Sequence, residues 1–171
     1  VLAPGSDWVK RRTVPGGVHV HDVAAFEGAV YAVGSGATPE EWNAGDVYGH
    51  LWRTTDQGAT FTVVQRVHNG GQGDARWVNL LPVGDRLWIF GYRTNAKGQL
   101  AELPHAMVHE GTFSTLPPSH PLSMTFVNTV ETLPGGMGLV LGADVSVSPT
   151  RNVVWRIDAA GYEVRPYRAT N

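Results

Sequence analysis

The sequence predicts an all-β chain assembled from repeated four-stranded antiparallel units, and three observations carry that expectation. Its apolar segments are short and either alternating or continuous, and helical periodicity is nearly absent. Gly, Pro, Asn or Asp closes almost every segment, and the 171 residues include 21 Gly and 11 Pro, far more punctuation than a helical protein tolerates. The segments also repeat.

The repeat is clearest in its first two strands. "VHVHDVAAFEGAVYAVGS" (18–35) matches "ARWVNLLPVGDRLWIFGY" (75–92) and "TFVNTVETLPGGMGLVLGA" (125–143). Each reads strand, tight turn, strand, Gly. Asp22, Asn79 and Asn128 fall in one column and Gly34, Gly91 and Gly142 in another. A recurring polar residue of this kind suits a bridge between neighbouring units. A second pair of strands follows. "LWRTTDQG" (51–58) matches "VWRIDAAG" (154–161), with Trp52 over Trp155, and "AMVHEGTF" (106–113) is a copy with a shortened turn. Four strands per unit of about 40–50 residues or slightly more is the signature of a β-propeller blade.

The expected blades run over about 18–67, 75–116 and 124–169 within a single segment, 1–171. The stretch 7–14 aligns with the fourth strands at 60–67 and 162–169, so it reads as an outer strand whose own first three strands are not upstream. Three blades are too few for a ring of roughly four to eight. The expectation is a propeller segment whose ring is completed by blades from the same parent protein or from another chain. Left alone, the segment exposes apolar blade sides.

The turn "TTDQGATF" (54–61) places Thr54, Asp56, Gly58, Thr60 and Phe61 at nearly regular spacing. Asp can accept backbone N–H groups of its own loop, and Gly can take positive φ. The role expected for Asp56 is structural, with Phe61 packed beneath the turn. This pattern resembles the Asp-box, or bacterial neuraminidase repeat, of sialidase-type β-propellers, in which the box is the turn between a blade's third and fourth strands. Asp158 with Gly161, "HEGTF" and "GSDW" are degenerate echoes. The resemblance implies the propeller fold. It leaves function open, because sialidases, other glycosidases, sorting receptors and assembly factors all carry the box.

In a propeller the long loops lie on the face opposite that turn, and such loops are where a rigid scaffold binds. Here they are 35–49, 68–76, 93–104 and 144–152. Glu40, Glu41, Trp42 and Asp46 stand out in the first, as an aromatic among acids suited to stacking on a sugar or packing on a partner. Arg76 lies near the same face. His19 and His21 alternate on a first strand with Asp22 beside them, a spacing at which imidazoles can share an ion. No third ligand is specified, so no metal and no cofactor are expected.

Composition narrows the rest. With 16% charged residues and a net charge of −2, no basic surface points to nucleic acid. No run approaches the roughly 18 apolar residues of a membrane span. Cysteine is absent, excluding disulfides and thiolate metal sites. The chain begins at Val1 rather than Met, as a processed or excised piece would, and the expected location is extracellular or periplasmic. The resemblance would imply a sialidase only with an arginine triad, an acid and a Tyr/Glu nucleophile pair. Arg76 and Arg151 do not make a triad, and the family's Phe-Arg-Ile-Pro motif is absent. The function expected is a non-enzymatic binding module whose loop face takes a protein or carbohydrate ligand. The alternative is a lobe of a carbohydrate-active glycoside hydrolase.

Overall fold

Thirteen strands, one short helix and one 3-10 turn make up the computed structural model, which describes residues 14–17, 19–68, 73–160 and 162–166. The chain is all-β. The strand expected at 7–14 lies outside the described residues apart from Val14.

The strands group into three antiparallel meanders. The first contains β1 (His19–Phe26), β2 (Ala29–Gly36), β3 (Asp46–Thr54) and β4 (Thr62–Val67), each paired with the next. The second contains β5 (Gly73–Val83), β6 (Arg86–Thr94), β8 (Ala106–His109) and β9 (Thr112–Thr115). Before β8, a three-residue strand, β7 (Leu100–Glu102), pairs with the end of β6. The third contains β10 (Thr125–Leu133), β11 (Met137–Asp144), β12 (Arg151–Ile157) and β13 (Val164–Pro166). A short parallel pairing of Asp46 and Val47 with Gly73 and Asp74 joins the first two meanders into one nine-stranded sheet. The third stands as a separate four-stranded sheet.

Turn chemistry explains the hairpins. Glu27 and Gly28 both take positive φ between β1 and β2, as do Glu110 and Gly111 between β8 and β9. Two successive left-handed residues give the turn whose twist matches that of the strands it joins.

The repeat has a physical cause in the first strands. Val20, Trp77 and Val127 pair with Gly34, Gly91 and Gly142, and in all three strands the ladder slips by one residue just afterwards. A Cβ on any of these glycines would collide with the carbonyl oxygen of His19, Arg76 or Phe126. The bulge drives the backbone onto its partner strand, and only Gly leaves room. One column needs correcting. Asn128 is the bulged residue, equivalent to His21 and Val78, and Thr129 is the counterpart of Asp22 and Asn79. The third hairpin turn, Pro134–Gly135–Gly136, is one residue longer than the other two, which displaces the alignment.

Packing then stacks the meanders face to face. Phe26, Tyr31, Val33 and Leu51 of the first meet Trp77, Leu80, Leu87, Ile89 and Val108 of the second. Leu81, Val83, Trp88 and Phe90, on the second meander's other face, meet Val127, Val140 and Ile157 of the third, with Leu122 closing that core. The middle meander is thus apolar on both faces, as the continuous run of β6 demands. Each large side chain buried here contributes about 1.5–3 kcal/mol.

Polar bonds fix the stack. Asp22 Oδ2 accepts the Leu80 N–H at 2.8 Å, so that carboxylate bridges adjacent first strands. Trp52 Nε1 donates to the Pro15 carbonyl and Trp155 Nε1 to Thr125 Oγ1, each tying a third strand to the entrance of its own meander. Buried His105 accepts the Gly91 N–H on Nδ1 at 3.2 Å, which leaves its Nε2–H to donate to the Thr125 carbonyl at 2.9 Å. Tyr162 joins the turns at the other end: its hydroxyl donates to the Asp85 carboxylate, and the Arg86 guanidinium lies 3.8 Å from its ring centre.

Candidate functional site

The loop between β2 and β3, expected to be irregular, contains a helix, α1 (Pro39–Asn43). Thr38 caps it: Thr38 Oγ1 accepts the Glu41 N–H at 3.2 Å, and Glu41 Oε2 accepts the Thr38 N–H at 2.8 Å. Pro39 occupies the first turn, where its missing N–H costs nothing. Glu41 also receives Arg66 Nη2 at 2.9 and 3.0 Å. The Arg66 guanidinium in turn lies 4.1 Å from the ring centre of Tyr48, and the Tyr48 and His68 rings meet edge to face. This folds α1 back along β3 and β4. The Thr38 N–H, and after it Arg66, hold the Glu41 carboxyl below the usual range. Glu41 acts as a clamp between α1 and β4.

That clamp presents Trp42 to solvent, with 57% of its surface exposed. Two hollows flank the indole. One of about 790 Å³ is lined, among the described residues, by Val14–Gly17, Ala37–Pro39, Trp42, Asn43 and Ala59–Phe61. The other, about 380 Å³, is formed by Trp42, Ala44, Gly45, Val47, Gly73, Asp74 and Ala96. The first hollow therefore brings α1 beside the turn at 54–61, although the two connect opposite ends of β3.

That turn is closed by its own side chains. Asp56 Oδ1 accepts the Thr54 hydroxyl at 2.6 Å and the Thr60 N–H at 2.9 Å, and Oδ2 accepts the Thr60 hydroxyl at 2.6 Å. Thr54 Oγ1 accepts the Gly58 N–H at 3.1 Å. Gln57 and Gly58 both take positive φ. The Thr54 hydroxyl, then the Thr60 hydroxyl and N–H, hold the Asp56 carboxyl down at about 2. Phe61 is half-buried beside the turn.

The remaining candidates sit on or beside the first strands. His19 and His21 are exposed, with ring centres 6.1 Å apart. Their counterparts in the third meander are Phe126 and Asn128, so the pair belongs to the first alone. Partial desolvation of the ring first, then the charges of Arg76 and His19, push the His21 pKa down. Arg76 pairs with Asp74, and Asp74 lines the smaller Trp42 hollow. Asp46 is half-buried where β3 meets β5. The structure thus gathers Trp42, Asp46 and Arg76 around the start of β5. It turns Glu41 towards Arg66 and leaves Glu40 exposed on α1. Among the described residues no group of three or more His, Cys, Asp or Glu could hold a metal ion, and no helix is long and apolar enough to cross a membrane.

Sequence reasoning missed Asp74, Arg66 and Tyr48. Asp74 stood in a Gly-rich loop with nothing to mark it. Arg66 and Tyr48 acquire roles only through contacts across the sheet. The helix itself had a local signal, Thr-Pro-Glu-Glu before Trp, which is a capping box with Pro at the first position.

No protein-family model and no curated protein matches the chain. Among solved structures, a mannose phosphorylase from Leishmania mexicana in complex with a phosphate ion is similar at 15% identity and a TM-score of 0.47. The match covers 83% of this chain and 48% of that protein, so the chain spans about half its length. A likeness this slight assigns neither a fold nor an activity.

Proposed function

We propose that the three meanders are blades of an Asp-box-type β-propeller segment, and that the segment is a non-catalytic binding module centred on Trp42. Face-to-face stacking of four-stranded meanders, a bulge repeated in every first strand and a self-bonded turn at 54–61 support the propeller reading. The binding reading is carried by one observation: a mostly exposed indole held rigidly on a capped and clamped helix between two hollows. A large apolar side chain is exposed at a cost, and a rigid one binds with little loss of entropy. The ligand class is a protein or a carbohydrate, both of which an indole can engage.

Acid chemistry has little support on this face. Glycoside hydrolysis needs one carboxyl held protonated near neutral pH and a second ionised partner. Each carboxyl group with a resolved shift, namely Glu40, Glu41, Asp56, Asp144 and Glu163, is moved downwards. Asp144 is taken up by Ser146 and Arg151, and Asp74 pairs with Arg76.

The test is a panel of immobilised glycans and proteins probed with the native chain and with Trp42→Ala. The native chain is expected to bind, and the variant to bind at least roughly tenfold more weakly, as loss of a central aromatic contact does. Its melting temperature should change little because most of the indole is exposed. Equal binding by the two proteins overturns the assignment.

A further inference from the structure

The two interfaces between meanders repeat the same positions, and among the described residues both ends of the stack carry some of those positions exposed. The forward face of the first meander buries Tyr31 and Val33, and that of the second buries Trp88 and Phe90. Strand pairing makes these equivalent: Ala24 faces Tyr31, Leu81 faces Trp88 and Glu131 faces Leu139. One step on, Asp22 faces Val33, Asn79 faces Phe90 and Thr129 faces Leu141. The third meander thus presents Leu139 and Leu141 on its forward face. Leu139 is half-buried, and Leu141 is 37% exposed. Glu131 is the charged member of this face.

The backward face shows the reverse. Trp77 and Leu80 are buried against the first meander, and Val127 is buried against the second. The same positions in the first meander are Val20 and Val23, at 48% and 59% exposure. Further out on this face Trp52 is buried, bonded to Pro15. Among the described residues, Leu139 and Leu141 at one end and Val20 and Val23 at the other thus repeat, exposed or half-buried, positions of an interface that the molecule builds twice within itself.

We propose that a second copy of this chain docks head to tail, the Leu139–Leu141 face of each copy covering the Val20–Val23 face of the other. This rests on the propeller reading above and adds the partner. A heterologous contact gives either a closed ring or an open filament, depending on the rotation it imposes. Two copies of the three described meanders make six, within the range of about four to eight in closed propellers. A closed pair leaves neither face exposed.

The mass of the native chain in solution, by sedimentation or native mass spectrometry at micromolar concentration, tests this. Twice the chain mass is expected. Val23→Asp and Leu141→Asp each place a charge on one face only, and each should weaken association by at least roughly tenfold. Both positions are solvent-exposed in the single chain, so the far-UV circular dichroism of both variants should match the native spectrum. Leu141→Ser and Val23→Ser serve in place of any aspartate variant that does not fold. An equimolar mixture of the two variants should recover association beyond that of either variant alone, because one junction pairs two unaltered faces while the other gathers both charges. Three results overturn the proposal: a native chain that remains monomeric, a dimer indifferent to both substitutions, or a mixture that does not recover. A monomer would leave the binding module standing, since that reading is judged on Trp42→Ala alone.

Discussion

A carboxylate that accepts three bonds inside its own loop has a job that requires charge and reach together, and Asp56 has both. Its two oxygens hold the Thr54 hydroxyl, the Thr60 hydroxyl and the Thr60 N–H, while Gln57 and Gly58 turn the backbone through positive φ. Asp56→Ala leaves the turn without its centre, and the Thr60 N–H must then find water. The melting temperature should fall by about 2–4 °C per kcal/mol lost in a chain of this size. The pH dependence has a definite sign. The folded-state pKa, about 2, lies below the usual 3.8, so the turn's contribution is fully present above the unfolded value. It is lost as pH falls from about 3.8 through about 2. A thermal scan of the native chain and Asp56→Asn across that window should converge at its acid end. Divergence there would mean that the hydroxyls, and not the charge, hold the turn.

At the scale of elements, the joints between meanders carry the polar bonds, and His105 is the most constrained of them. It spans from the Gly91 N–H in β6 to the Thr125 carbonyl at the start of β10, and burial pushes its pKa down to about 4. Protonation would set an Nδ1–H against the Gly91 N–H. The folded chain therefore keeps His105 neutral where the unfolded chain begins to take up a proton near 6.5. Stability should be full above that value and fall as pH drops from about 6.5 towards 4. His21, His50 and His120 are shifted in the same direction, so they add to the slope. Urea titrations of the native chain and His105→Gln at successive pH values measure it, and the variant should show the flatter dependence. The hairpins that flank this joint were legible in the sequence because Gly34, Gly91 and Gly142 answer a local demand of the backbone. The bulge at Asn128 was not, since a single added turn residue shifts an alignment without changing its appearance. Strand β7 and the parallel contact of Asp46 and Val47 with Gly73 and Asp74 were also hidden. Their partners are set by tertiary packing, not by neighbouring residues. The same holds at the candidate site. Trp42 could be singled out by composition, whereas the bond of Glu41 to Arg66 crosses 25 positions and leaves no local signal.

The described meanders form a stack, and one repeated position measures how far its end is covered. Val33, Phe90 and Leu141 are equivalent by strand pairing, yet Phe90 is enclosed between two meanders and Leu141 faces outwards. Removing a buried aromatic leaves a cavity that the neighbouring sheets cannot collapse to fill, so Phe90→Ala should cost about 3–5 kcal/mol. Leu141 leaves no enclosed cavity when cut back. At dilutions where the chain is monomeric, Leu141→Ala should cost about 1 kcal/mol or less. Raising the protein concentration should widen the effect of Leu141→Ala, because a partner that binds only the folded chain adds its binding free energy to stability. The effect of Phe90→Ala should stay constant, its surroundings being complete within one chain. Denaturant unfolding of the two variants across a hundredfold dilution series, about the range over which such linkage becomes measurable, separates the cases. Equal and concentration-independent losses would mean that the forward face of the third meander is already covered within a single molecule, and the stack would then be closed on itself.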